Sequence, residues 1–304
     1  MGAGTVSKPI VRAASLNVSR ASVWRRWLAE KAFVTIALGC LTLALAVLAA
    51  LIIDLILDGS GRLSWSFLTS FPSRHADKAG IYSAVVGSIC LVVLTAAIAV
   101  PLGVGAAIYL EEYATQNRFT RLIELTIVNL AGVPSIIFGL LGLQLFVRHA
   151  GLGRSLIAGA LTMALLVLPV IVMATREALR AVPRLLRDAS LALGATKWQT
   201  IRLQILPVAF PGILTGCILA LSRAIGETAP LVTIGALAYV AFLPDGLFAP
   251  FTVIPIQTFN WISRPNPAFH ANAAGAILVL LMILISLNSL AIYLRQKLQV
   301  KGRL

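Results

Sequence analysis

The chain has 304 residues, of which 59% are hydrophobic and only 12% charged, with a mean hydropathy of +0.93. Such usage excludes an ordinary water-soluble domain and points to a membrane protein. The formal net charge of +14 is accounted for by a topology signal and by anionic headgroups, because the basic residues sit mostly outside the apolar runs, so no nucleic acid partner is expected.

In chain order, a basic tail over 1–32 precedes a first apolar run at 33–57. That run is far longer than the about 7–15 residues of a signal-peptide core, so it reads as a retained span. Further runs follow at 82–110, 122–147, 155–175, 208–236 and 272–294. Each meets the requirement of about 20 apolar residues for a helix that crosses hydrocarbon. They are continuous in Leu, Ile, Val and Ala and do not alternate with polar residues, which argues against a β-barrel. The expected fold is all-α and polytopic, with six transmembrane helices. Its divisions are a basic N-terminal tail 1–32, a first span and external loop 33–80, a transmembrane domain 81–294 containing a polar loop at 176–207, and a C-terminal tail 295–304. With the N-terminus inside, eighteen Lys and Arg fall on cytoplasmic segments and six on the opposite side, with Arg223 inside a span. That asymmetry predicts that both termini are cytoplasmic.

Cys40, Cys90 and Cys217 each lie in a different apolar run, and His75, His149 and His270 lie in or near connections. Neither set has the spacing of metal ligands, so no metal and no cofactor are expected. There is no phosphate-binding Gly-x-x-x-x-Gly-Lys-Ser/Thr run and no His-Glu-x-x-His, so no catalytic residue is assigned and ATP hydrolysis is expected elsewhere. Glu111 and Glu112, at the cytoplasmic end of the second span, are expected to make helix-end or subunit contacts rather than to work as an acid–base pair.

The polar loop has a readable design. Pro183 opens a helix, Leu185, Leu186, Ala189, Ala192 and Leu193 form an apolar stripe along it, and Gly194 supplies a left-handed cap. Thr196 and Gln199 have capping-box spacing for a second helix with Trp198, Ile201 and Ile205 on one face. By physics alone, a hairpin lying on the inner membrane surface and a segment gripped by a partner fit equally. The following span carries Arg223 and Glu227 four residues apart. An arginine at a helix centre costs about 2.5–3.5 kcal/mol to insert, a cost that pairing with Glu227 lowers. Its guanidinium offers a planar fork of donors to an entering oxyanion, so the two residues read as part of a substrate pathway; a packing salt bridge is the alternative. Helix continuity is expected to weaken at Pro101 with Gly103 and Gly105, at Pro134, at Pro169, and at Gly226 with Pro230. Gly139 and Gly142 are expected to serve close helix packing.

Asp188-Ala189-Ser190, three residues, Gly194, and then Leu206-Pro207 resembles the cytoplasmic loop signature of importer-type ABC permeases. Asp188 stands for the usual Glu, Ser190 for the second Ala and Gln204 for Ile, with the spacing intact. Four more segments are similar to the phosphate permease branch of that family: Ile108-Tyr109-Leu110-Glu111-Glu112-Tyr113-Ala114, Gly132-Val133-Pro134-Ser135-Ile136-Ile137-Phe138-Gly139, Ala224-Ile225-Gly226-Glu227-Thr228-Ala229-Pro230-Leu231 and Asn260-Trp261-Ile262-Ser263-Arg264-Pro265. The resemblance runs from about residue 80 to the end. It implies a type I (MetI-like) importer permease fold and a coupling loop, carried by Asp188, Ala189, Ser190, Gly194, Leu206 and Pro207, that docks on a cytoplasmic ATPase. The implied function is half of the path of an ATP-driven inorganic phosphate importer in a bacterial or archaeal plasma membrane. The implied partners are a homologous permease, two ATPase copies and an external phosphate-binding protein. Sulfate or molybdate stays open as substrate, because Arg223 attracts any oxyanion. So does a non-transporting membrane scaffold, which would not need Arg223 and Glu227.

Overall fold

The computed structural model describes residues 20–115, 117–236 and 239–301. Among them every regular element is helical, as expected where hydrocarbon leaves backbone groups no outside partner. The chain divides into two compact units, Met1–Asp54 and Leu55–Leu304.

The first unit is chiefly α1, Arg20–Gly59, a helix of 40 residues. At about 1.5 Å per residue this is about 60 Å, twice the hydrocarbon thickness of about 30 Å. The helix therefore starts well before the expected residue 33, and the expected basic tail is helical from Arg20 onward. Residues 1–19 of that tail lie outside the described residues. Lys31 holds its ammonium 5.4 Å from the Trp27 ring centre, the pairing of cation and aromatic found at a membrane boundary. From Phe33 to Ile53 the side chains are exposed and mostly apolar, a surface for lipid or another protein to cover.

The second unit continues with α2 (Trp65–Thr69), α3 (Tyr82–Ile108), α4 (Arg118–Ala131), α5 (Ser135–Gly142), α6 (Leu156–Arg180), α7 (Arg184–Ala192), α8 (Lys197–Thr200), α9 (Leu206–Ile225), α10 (Ala229–Ile234), α11 (Ile254–Ile262) and α12 (Ala268–Lys301). Three π-helical segments, Tyr109–Tyr113, Leu143–His149 and Ile201–Ile205, extend α3, extend α5 and join α8 to α9.

Among the described residues five helices are long and apolar enough to cross a membrane, and the sixth expected span is a broken one. Instead of a single helix over 122–147, α4 and the α5 segment meet at 103°, because Gly132, Val133 and Pro134 interrupt the hydrogen-bond ladder. The expected run 208–236 likewise stops at Ile225, with Gly226 as its C-cap, and resumes as the short α10. Pro101 and Pro169, by contrast, sit inside uninterrupted α3 and α6; one lost amide donor is tolerated where neighbouring helices support the turn. Within the polar segment 176–207, α6 runs on to Arg180 and α7 and α8 are helical, so irregular backbone is confined to 181–183 and 193–196. The C-terminal tail is helical to Lys301.

The core lies where α3, α6 and α9 meet, with Leu91, Met163, Val167, Ile171, Ile205 and Ile213 buried together. A second cluster under α11 and α12 contains Phe67, Ile81, Trp261 and Phe269. Arg62 closes this end: its guanidinium donates to the carbonyls of Ala76, Asp77 and Ala79 and to Asn272 Oδ1. Close approach depends on small residues. Gly212 and Gly216 of α9 abut Ala178 and Ala174 of α6, and a Cβ on Gly216 would meet that of Ala174 at 2.5 Å. This is the small-xxx-small seam of membrane helices. Gly139 similarly lies against Pro230 and Thr233, and Gly142 against Thr162.

Gly216→Val overfills the α6–α9 seam. The expected loss is about 1–3 kcal/mol, read as a lower midpoint of thermal unfolding of the purified chain in detergent, with Gly105→Val, which has open space around it, as the control.

Candidate functional site

The loop between α6 and α9 is built by its caps. Pro183, at φ −57° and ψ 133°, occupies the N-cap of α7, where its missing amide costs nothing. Gly194 has φ +85°, a conformation that L side chains rarely adopt. Past it, the Ala195 amide returns to the Ser190 carbonyl at 3.2 Å. The capping box is present: Thr196 Oγ1 accepts from the Gln199 amide and Gln199 Oε1 from the Thr196 amide. Ser190 Oγ lies 2.9 Å from Thr200 Oγ1, so the residue that departs from the usual alanine ties α7 to α8. Leu206 and Pro207 begin α9. Gln204 is exposed in the π-helical joint.

The apolar stripe of α7 is left uncovered by the described residues: Leu185 is 77% exposed and Leu193 90%. Ile201 and Ile205 are buried, while Trp198 is exposed. The single-face reading fails for Trp198 because α8 lasts one turn before the wider π segment rotates the faces.

What holds the loop escaped sequence reasoning. The π turn Tyr109–Tyr113 presents Glu111 and Glu112 to arginines of the same chain, so their contacts are internal. Glu111 accepts from Arg176 Nε at 3.2 Å and Arg180 Nε at 3.0 Å. Arg176 also reaches Glu124 of α4 at 2.6 Å. Glu112 pairs with Arg187 of α7 at 2.7 Å, and Lys197 lies 5.0 Å from the Tyr113 ring centre. The signal was in the sequence, in the pair Arg176 and Arg180 four residues apart on one helix face. Nothing local linked that pair to residues 65 positions earlier. Glu111, Glu112, Arg180, Arg184, Arg187 and Asp188 line an open cleft of about 600 Å³.

Arg223 stands in the last turn of α9 and Glu227 just beyond its end, with Nε and Oε1 3.5 Å apart. They meet across a helix terminus rather than along one helix face. The carbonyl end of a helix favours a cation, which offsets part of the burial cost that sequence reasoning assigned to a mid-helix arginine. Arg223 is 65% exposed at its side chain and Glu227 18%, so donors remain open to a further acceptor. Arg223 lines a hollow with Val133 and Ser135 at the break between α4 and α5, and α5 packs on α10 through Gly139. The two helix breaks are thus neighbours. Irregular backbone at membrane depth belongs where it is enclosed by protein or lines a cavity.

A bundle with broken helices, a capped polar loop and an arginine at a helix break defines a polytopic membrane component. Residues 99–300 match the family described as binding-protein-dependent transport system inner membrane component, and the chain belongs to that family. It is 36% identical over 236 residues to the phosphate transport system permease protein PstA 1 of Mycobacterium tuberculosis strain CDC 1551 / Oshkosh, covering 78% of this chain and 76% of that one. It is 34% identical over 270 residues to the probable ABC transporter permease protein YqgI of Bacillus subtilis strain 168, covering 83% and 92%. Among solved structures, a bacterial alginate ABC transporter matches with a TM-score of 0.66 at 13% identity, over 91% of this chain and 98% of that one. The MetNI methionine ABC transporter matches at 0.57 and 16% identity, over 72% and 97%. The fold is that of a type I ABC importer permease, in a multi-pass membrane protein.

Gly194→Val forces a branched side chain into a left-handed turn. The expected cost is about 1–2 kcal/mol, read as faster protease cleavage between 181 and 196 with the transmembrane helices intact.

Proposed function

We propose that this chain is the transmembrane permease subunit of an ATP-driven importer of inorganic phosphate, forming half of the translocation pathway. The observation that carries the reading is α7: a capped helix with an exposed apolar stripe, tied to α3 by an ion pair, in a chain related to phosphate transport permeases. Its partners in this reading are a homologous PstC-like permease, two copies of a PstB-like cytoplasmic ATPase and a PstS-like external phosphate-binding protein. ATP hydrolysis belongs to the ATPase subunit, and both termini of this chain face the cytoplasm.

The division of labour follows from the site. Asp188, Ala189, Ser190, Gly194, Leu206 and Pro207 shape the docking loop, and the leucines of α7 enter the ATPase surface. Closure of the ATPase dimer on ATP presses on α7 and biases the bundle between outward and inward access. At the membrane site, Arg223 offers its guanidinium fork to the arriving oxyanion. Glu227, 3.5 Å from Arg223 Nε, competes for the same donors and repels the anion, which keeps its binding weak enough for release. Discrimination among oxyanions falls to the binding protein, and the pathway accepts what is delivered.

In proteoliposomes holding the complete complex, ATP-driven uptake of labelled phosphate is expected for the native chain and is abolished by Arg223→Ala with the complex still assembled. Uptake of sulfate or molybdate instead would show that the substrate is wrong and the permease class right. Normal uptake in the variant removes Arg223 from the path. Leu193→Glu places a charge on the α7 stripe and is expected to lower copurification of the ATPase about tenfold, the loss of one buried apolar anchor.

A further inference from the structure

Glu112 and Arg187 form an enclosed polar contact whose work in the transport cycle the permease reading does not specify. Their side chains are 8% and 19% exposed. A carboxylate so enclosed needs hydrogen-bond donors and a cation to offset its lost hydration. Arg187 meets it with Nη2 at 2.7 Å and Nε at 3.2 Å. It also donates to the carbonyls of Leu179 at 2.9 Å and Val182 at 3.1 Å, at the end of α6 where carbonyls lack intrahelical partners. One side chain on α7 therefore binds the π turn after α3, the end of α6 and α7 itself. The Glu111 pairs join α3 to α6 only; among the described residues, Glu112–Arg187 is the ion pair that joins α3 to α7. Along α6, the residues Leu166, Val167 and Val170 line the hollow that contains Arg223.

We propose that Glu112 and Arg187 are positioning residues forming a strut, which makes the 181–196 loop move as one body with the cytoplasmic ends of α3 and α6. A push on α7 then reaches the helices around Arg223 and is not dissipated by the loop swivelling on its own; this consequence rests on the permease reading. Charge and geometry both serve the role. The guanidinium fork fixes direction as well as distance, and its burial keeps salt from screening it.

The first arm of the test needs no substrate. In the full chain reconstituted in nanodiscs, amide hydrogen exchange over 181–196 is compared for the native protein, Glu112→Gln, Arg187→Gln and the double variant. Exchange in α7 is expected to quicken about tenfold in each single variant, as for a segment released to open locally. The double variant is expected to be no worse than Arg187→Gln, because both changes cut one tie. Unaltered exchange in Glu112→Gln overturns the strut, whatever the complex transports.

The second arm uses the complete complex. Phosphate uptake per ATP hydrolysed is expected to fall about tenfold in Glu112→Gln, an ordinary coupling loss, and Glu112→Asp is expected to recover part of it. In a chain with Cys40, Cys90 and Cys217 changed to Ser, Glu112→Cys and Arg187→Cys are then joined by a short bifunctional thiol reagent. A strut predicts that the crosslink restores the ratio. A crosslink that stops uptake shows that the contact opens during the cycle, and that result overturns the proposal. If the native complex takes up no phosphate, the permease reading fails separately and the exchange measurement alone decides the strut.

Discussion

Everything in this chain answers to the requirement that backbone amides and carbonyls find partners inside the segment when no water is at hand. Long helices meet it directly, and the core of α3, α6 and α9 forms where their small and branched residues interlock. The same requirement decides where helices are allowed to stop. Both interruptions, at Gly132–Pro134 and at Gly226–Thr228, border the hollow lined by Arg223 and the joint between α5 and α10. A break facing lipid would leave orphaned groups, whereas a break enclosed by protein or lining a cavity lets them find partners.

The end of the bundle that carries the polar loop is organised by charge rather than by hydrocarbon. Glu111 and Glu112 project from a π turn, which holds an extra residue per turn and so brings two adjacent carboxylates onto different arginines. Arg176 and Arg180 answer from α6, and Arg187 answers from α7. The outcome is a loop whose polar surface faces its own chain while its leucines face outward. Such an arrangement costs solvation for each leucine left exposed, and a protein surface that covers them recovers it.

Much of this was legible in the residues. The apolar runs marked the helices, Gly194 its left-handed turn and Thr196 with Gln199 their capping box, because each is a local device whose spacing is set by one turn of helix. Boundaries were less legible. Arg176 and Arg180 read as polar loop and the basic stretch from Arg20 as tail, yet they are helical, since hydropathy measures the solvent around a residue and not its backbone. The weak point at Pro134 was legible in the third span, but the 103° bend there was not, because Val133 and its neighbours are apolar enough to read as one run. Arg223 and Glu227 looked like one helix face until Gly226 ended the helix between them. The Glu112–Arg187 pair was out of reach, for it depends on two elements 75 positions apart meeting in space.

The α6–α9 joint has a mechanical consequence. Where large side chains interdigitate, two helices move past one another only by unlocking every knob. Gly212 and Gly216 against Ala178 and Ala174 present an almost smooth bearing instead, with backbones close enough to resist separation and little relief to resist sliding. The seam is stiff along one direction and compliant along another. Since α6 carries two arginines that pair with Glu111 and α9 ends at Arg223, an axial shear of small amplitude along that bearing would shift Arg223 relative to the loop end of α6.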